Sequence, residues 1–147
     1  MFSDLPWYGK ALALAAFFAM GAGVVSAAET REPMALVCPL HSAYFSVYDG
    51  DKYRTGTSAE ETLPLTFAAI DVPRRSAQLI GNAGASSVTA LAEADKIVFI
   101  ERTDSGNYTT TSVSMIDARF PAVHTRQMFM GSHILTSVFE GFCEARY

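Results

Sequence analysis

The side chains best suited to binding chemistry in this sequence lie between residues 104 and 126. Six polar or aromatic residues form the candidate set: Asp104, Ser105, Asn107, Tyr108, His124 and Arg126. The first four surround a predicted hairpin tip, and exposed tips on rigid scaffolds commonly carry function. His124 and Arg126 follow on the next predicted strand, where residues two apart project to the same side. We therefore expect a small cationic patch and a binding site for a protein or a component of the cell envelope.

The same search finds no motif for catalysis, for a metal or for a cofactor. His41, His124 and His133 show neither the HExxH spacing nor the paired Cys/His spacing of zinc sites. No serine lies in a G-x-S-x-G elbow. The glycine segment 81–84 precedes no phosphate-binding lysine. We expect a non-enzymatic protein without catalytic residues, metal or cofactor. The one metal alternative is that His124 and His133 meet across the last predicted hairpin.

The charge balance argues against nucleic acid as a partner. Eleven Lys and Arg face fifteen Asp and Glu, a formal net charge of −4. These charges are dispersed along the chain, so no basic stripe is available to neutralise phosphates.

Residues 1–28 are typical of an export signal. Lys10 precedes the small and apolar run of residues 11–25, and Ser26-Ala27-Ala28 supplies the small residues that signal peptidase requires. A retained membrane anchor is the alternative, but the run is shorter than the roughly 20 apolar residues of a membrane span. We expect cleavage near residue 28, a periplasmic or secreted protein without stable membrane insertion, and a single domain over residues 29–147.

The two cysteines that follow the leader, Cys38 and Cys143, predict one disulfide bond. An even cysteine count in an exported chain favours pairing over free thiols. Because the two residues lie near opposite ends of the mature chain, the bond would make the first and last strands neighbours.

The remaining sequence has the rhythm of an all-β domain, with Val, Ile, Thr, Tyr and Phe interrupted regularly by Gly, Pro, Asp or Asn. Residues 39–42 and 51–62 are predicted as a turn and a polar surface loop. Residues 86–96 favour a helix by composition, but the spacing of their neighbours favours a strand at 87–91, which we prefer. The predicted strands cover residues 34–38, 43–48, 63–70, 77–80, 87–91, 96–102, 108–116, 122–130 and 133–143. About eight to ten short strands indicate a small antiparallel barrel or a sandwich, and the disulfide favours the barrel.

The segments FIERTDSGNYTTTSVSM, AVHTRQ and GFC resemble a group of small, exported, uncharacterised Gram-negative proteins. The resemblance covers roughly residues 65–143 and implies a periplasmic protein without assigning an activity. A weaker resemblance links residues 105–108, Ser-Gly-Asn-Tyr, to the periplasmic inhibitors of c-type lysozyme, small disulfide-bonded barrels with a Ser-Gly-x-x-Tyr loop. This chain has one residue fewer between Gly and Tyr, and the Trp and Lys segment that follows in that family is missing.

Three functions follow from these observations. The first is binding of a protein or envelope component through the hairpin tips. The second is inhibition of a hydrolase such as lysozyme through residues 104–108. The third is transport of a small apolar ligand in a barrel cavity.

Overall fold

A computed structural model describes residues 33–57, 61–82 and 84–147, and every regular element in these ranges is a β-strand. The predicted leader lies outside the described residues. The described residues form one compact unit. No helix in the described ranges is long and apolar enough to cross a membrane. The strands are β1 (Ala35–Tyr48), β2 (Tyr53–Gly56), β3 (Thr62–Asp71), β4 (Ser76–Gly81), β5 (Gly84–Glu93), β6 (Lys96–Arg102), β7 (Tyr108–Ser114), β8 (Pro121–Met130), β9 (His133–Phe142) and β10 (Glu144–Arg146).

The sheet closes into an eight-stranded antiparallel barrel, which is the alternative that the sequence favoured over a sandwich. Strands β3 to β9 pair in sequence, and β1 pairs with both β3 and β9. A register shift between Ser42 and Tyr44 divides β1 into two parts. The first part pairs with β3 and β10 and, over residues 40–42, with β9, and the second part pairs with β2 and β9. Closure removes the open sheet edges that a sandwich would retain, and β2 and β10 are short additions to it.

The predicted disulfide joins Cys38 to Cys143, with 4.1 Å between the Cα atoms. Leu40 pairs with Gly141 of β9, and Val37 pairs with Glu144 of β10. The two strands therefore continue the same pairing register along β1. That register sets the two cysteines directly opposite each other. The backbone N–H of Cys143 donates to the carbonyl oxygen of Phe120 instead of to β1. The first and last strands are therefore neighbours, as expected.

The prediction of a turn at residues 39–42 was wrong, because β1 continues without interruption through Pro39. Pro39 pairs with Pro64 of β3. A proline inside a sheet lacks the N–H that a ladder requires and is usually found at an edge. Here each proline lies where the strand on its other side is absent or interrupted: β4 begins to pair with β3 only at Thr66, and β9 gives way to β10 at Cys143.

The polar loop predicted at residues 51–62 also requires correction, since it contains β2. This strand pairs with residues 45–48 of β1 and is almost fully exposed. An exposed four-residue strand buries too little apolar surface to show an alternating pattern, which explains why the sequence did not reveal it. The strand preferred at residues 87–91 is confirmed as part of β5, and the hairpin of residues 96–116 is confirmed as β6 and β7.

One half of the barrel interior is packed with apolar side chains. The rings of Phe67 and Phe99 stack with centroids 3.9 Å apart. Around them lie the buried apolar side chains of Leu36, Leu65, Ala77, Leu79, Val88, Ala90, Ile97, Val113, Ala122 and Phe139. Met115 and Phe120, from the connection between β7 and β8, pack against this core and close that end. The opposite end is where the β6–β7 and β8–β9 hairpins turn, and we call it the barrel mouth.

Candidate functional site

The interior wall becomes polar toward the barrel mouth. Phe99, Thr111, His124 and Phe139 are successive register partners on β6, β7, β8 and β9. The next interior row toward the mouth consists of Glu101, Thr109, Arg126 and Ser137. Because inward positions recur every second residue along a strand, a row of two phenylalanines and two polar side chains is followed by a row that carries two opposite charges and two hydroxyls.

Two adjoining cavities of about 290 and 280 Å3 open along this polar row. Leu65, Leu79, Glu101 and Arg126 line both of them. The first cavity extends to Leu63, Gly81 and Ser86, and the second extends to Asn107, Thr109, His124 and Met128. Small-ligand sites combine apolar walls with a few convergent polar groups, and the barrel mouth has this composition.

The carboxylate of Glu101 is fixed by hydroxyl groups from both neighbouring strands. Ser86 Oγ of β5 donates to Oε1 over 2.7 Å, and Thr109 Oγ1 of β7 donates to Oε2 over 3.1 Å. Each carboxylate oxygen thus has one protein partner. The carboxylate retains further lone pairs that a ligand could use.

His124 lies within the barrel wall, and its side chain is only 2 % exposed. Thr111 Oγ1 lies 2.7 Å from its Nδ1, whereas its Nε2 is buried without a hydrogen-bond partner. Burial lowers the pKa of His124 to about 4, and the positive charge of Arg126 contributes to the lowering. The ring is therefore neutral at pH 7. A buried polar atom without a partner is costly and rare, so Nε2 indicates a place where a bound molecule would be stabilised.

Arg126 supplies the positive charge of the site. Its guanidinium carbon lies 5.5 Å from the centroid of the Phe139 ring, a cation–π arrangement that holds the group against the wall. Among the described residues, no carboxylate lies within 4.0 Å of the guanidinium. Glu101 and Arg126 therefore face the same cavities without forming an ion pair.

The structure places the predicted patch of His124 and Arg126 in an unexpected position. The two side chains do project to the same side of β8, but that side is the barrel interior. Four further residues contribute polar groups to this site and were not predicted from the sequence: Glu101, Ser86, Thr109 and Thr111. Glu101 does have a signal in the sequence: the inward positions of β6 run Ile97, Phe99, Glu101, so a carboxylate interrupts a buried face.

The other predicted residues lie at the hairpin tip above the mouth. Asp104 and Ser105 are exposed, and Ser105 Oγ contacts Thr103 Oγ1 at 2.8 Å and Asn107 Nδ2 at 2.9 Å. Asn107 Oδ1 accepts a hydrogen bond from the backbone N–H of Phe129, 2.8 Å away, and so connects the β6–β7 tip to the β8–β9 hairpin. Tyr108 is 47 % exposed. Asn107 also lines the second of the two mouth cavities.

The alternative of a metal held by His124 and His133 is wrong. The register of the last hairpin pairs His124 with Phe139 and His133 with Met130. These two pairs are six register steps apart along the ladder, so the two histidine side chains do not meet. Within residues 33–57, 61–82 and 84–147, no three His, Cys, Asp or Glu side chains cluster as metal ligands would.

A further concavity is an open groove of about 1020 Å3 on the outer wall. Outward-facing residues such as His41, Val123, Glu140 and Phe142 line it. Among the described residues, the one buried side-chain polar atom without a partner is His124 Nε2, which lies at the mouth and not at this groove. The barrel mouth is therefore the better candidate despite its smaller volume.

No protein-family model, curated protein or solved structure matches this chain. The resemblances inferred from sequence segments stay predictions.

Proposed function

We propose that the protein binds a small molecule in the barrel mouth and performs no catalysis on it. The observation that carries this proposal is the buried Nε2 of His124, which has no partner and belongs to a residue that lines a cavity. A bound molecule could restore the missing hydrogen bond. Catalysis is not needed to account for any of these groups, since each can act by binding alone.

The residues that line the cavities favour a different ligand from the small apolar one that the sequence suggested. Leu63, Leu65, Leu79 and Met128 offer apolar contact, while Glu101 and Arg126 offer charge. A molecule with an apolar body and a polar end fits this wall better than a hydrocarbon does, because a hydrocarbon would leave the charged groups desolvated and unpaired. Cavities of this size suit a molecule at the small end of the usual ligand range.

The test is a binding screen by NMR on protein purified after expression of the full-length chain. The compounds are benzoate, benzamide, benzylamine, hexanoate, hexanamide and hexylamine. We expect at least one to shift the backbone amide signals of Glu101, Thr109 and Arg126. Absence of any shift at these amides for every compound would refute the proposal.

A matched pair of variants locates the site. Leu63 lines one of the mouth cavities, whereas Thr89 is exposed on the outer face of β5. Leu63→Trp should obstruct the mouth and weaken binding, and Thr89→Trp should leave binding unchanged. Equal binding by both variants would show that the compounds bind elsewhere.

The hairpin tip supports a second candidate, the binding of a protein or envelope component. Its hydrogen bonds hold Ser105 and Asn107 in place, and Tyr108 and Phe129 expose large apolar surfaces beside it. Rigid, aromatic tips lose little entropy on binding. If the partner is lysozyme, the purified protein should slow lysis in a turbidity assay, and Ser105→Ala or Tyr108→Ala should abolish the effect. Lack of inhibition by the wild-type protein would exclude that partner.

We also propose that the protein acts in the periplasm or outside the cell. The Cys38–Cys143 bond supports this, since disulfides persist mainly in oxidising compartments. Fractionation of cells that express the full-length chain should recover it with the periplasm or the medium, and recovery in the cytosol would contradict the proposal.

A further inference from the structure

The charges at the barrel mouth indicate the chemical class of the ligand. We propose that it carries a single carboxylate, which is bound by the Arg126 guanidinium together with Nε2–H of His124. This inference rests on the proposed function, because it names the ligand class of the same site.

Arg126 is prepared to receive an anion. Its guanidinium carries five N–H donors in a planar fork that matches a carboxylate. The Phe139 ring limits its motion, and no carboxylate within the described ranges lies close enough to form an ion pair with it. A neutral ligand would leave this fork unused in a half-enclosed cavity. A carboxylate would occupy it with two parallel hydrogen bonds.

Glu101 restricts the charge of that anion. Its carboxylate lines both cavities together with Arg126 and is fixed by Ser86 and Thr109. The site therefore holds one positive and one negative group before any ligand arrives. A doubly charged phosphate would be repelled by Glu101 more strongly than a singly charged carboxylate. This comparison favours the carboxylate as the anionic group.

His124 completes the recognition as a neutral donor. One proton is shared between the two nitrogens of a neutral imidazole, and the partner of one nitrogen determines where it lies. The Thr111 hydroxyl lies 2.7 Å from Nδ1. We assign this hydroxyl as the donor, which leaves the ring proton on Nε2 for a carboxylate oxygen. The bound anion would then satisfy the buried atom that has no partner in the protein.

The experiment compares carboxylates with their neutral amides by NMR titration at pH 7. Benzoate and hexanoate should bind about tenfold or more tightly than benzamide and hexanamide, the ratio that corresponds to about 1.4 kcal/mol. Inorganic phosphate should bind more weakly than benzoate. Equal affinities for acid and amide would overturn the carboxylate inference and leave the proposed function intact, whereas no binding by any compound would overturn both.

Arg119 provides a matched control for Arg126. Its guanidinium also lies over a phenylalanine ring, 4.8 Å from the Phe142 centroid, but the residue is exposed and does not line the mouth cavities. Arg126→Gln should abolish the preference for carboxylate over amide, and Arg119→Gln should retain it. Circular dichroism checks that both variants are folded. A preference that survives in folded Arg126→Gln would refute the role of Arg126.

The histidine part of the inference has its own readout. Nitrogen-15 chemical shifts of the His124 ring distinguish a protonated Nε2 from a protonated Nδ1. We expect protonated Nε2 in the free protein and a further shift of that nitrogen with benzoate. A proton found on Nδ1 in the benzoate complex would refute donation by Nε2.

Discussion

Thr111 and His124 form a buried hydrogen bond across β7 and β8, with 2.7 Å between the hydroxyl oxygen and Nδ1. Thr111→Val retains the shape of the side chain and removes this partner, so both ring nitrogens of His124 would be buried without one. We expect a loss of about 1–3 kcal/mol in the free energy of unfolding. Thr111→Ser keeps the hydroxyl and should lose less. Urea denaturation measures both, and a Thr111→Val protein as stable as wild type would contradict the importance of this bond.

The low pKa of His124 predicts that the protein loses stability in mild acid. The unfolded chain takes up a proton near pH 6.5, whereas burial, assisted by Arg126, lowers the folded pKa to about 4. Between these values the unfolded state holds more protons, so stability falls as the pH falls. The total loss should be about 3 kcal/mol by pH 4. Urea denaturation at several pH values should show this fall in the free energy of unfolding for wild type and for the control His41→Gln. If the same fall persists in His124→Gln, another titrating group causes it.

The Cys38–Cys143 bond should account for a large part of the stability. It closes a loop with a sequence separation of 105 residues, and removing such a link costs about 4–5 kcal/mol in the chain-entropy description. The double variant Cys38→Ala, Cys143→Ala tests this by urea denaturation. A thiol titration of the denatured, unreduced wild type should find no free thiol. Two free thiols, or a double variant with undiminished stability, would contradict the prediction.

Gly141 is predicted to tolerate no side chain. A Cβ atom there would lie 2.8 Å from the carbonyl oxygen of Pro39 and 3.2 Å from Leu40 Cδ2. Since the carbonyl belongs to the paired backbone of β1, it cannot move aside easily, and Gly141→Ala should cost about 1–3 kcal/mol. Gly81 is the control, because its Cβ would meet only Leu65 Cδ2 at 3.9 Å. Urea denaturation should give Gly81→Ala a clearly higher free energy of unfolding than Gly141→Ala. The reverse order would refute the predicted clash at Gly141.

Glu101→Gln should strengthen the binding of a carboxylate ligand. The substitution removes the negative charge from the cavities shared with Arg126 and preserves the size of the side chain. If the two charges interact through a partly hydrated mouth, the gain should be on the order of tenfold for benzoate. Benzamide, which is neutral, should bind with little change and serves as the control in the same NMR titration. Weaker binding of benzoate to folded Glu101→Gln would mean that the ligand needs the carboxylate.

The barrel itself could be predicted from the sequence because its larger strands alternate clearly. Leu63, Leu65 and Phe67 of β3 all face the core, and the β6–β7 hairpin has a Gly-containing turn between two β-rich segments. Two local features escaped prediction for physical reasons. The turn signal of Pro39 depends on which strands flank it, and the short β2 is stabilised by backbone pairing with β1 and not by burial of its side chains.

The candidate site was predicted only in part, because at the barrel mouth polar side chains face the interior and apolar side chains face outward. On β8 the interior receives His124 and Arg126, while Val123 and Phe129 are exposed. A periodicity of two places His124 and Arg126 on one side, but it does not show which side is inside when polar residues line the interior. Glu101 and Ser86 come from other strands, and only the barrel register brings them into contact.

The position of the disulfide has a mechanical consequence. Ala35 pairs with Arg146, and the bond crosses between the strands three residues further inward on each side. Tension applied between residues 33 and 147 would therefore pass through the sulfur atoms, and the segment from 39 to 142 would carry no load. Fusion partners or tethers attached at both ends could be pulled apart without extending the barrel, as long as the bond stays oxidised.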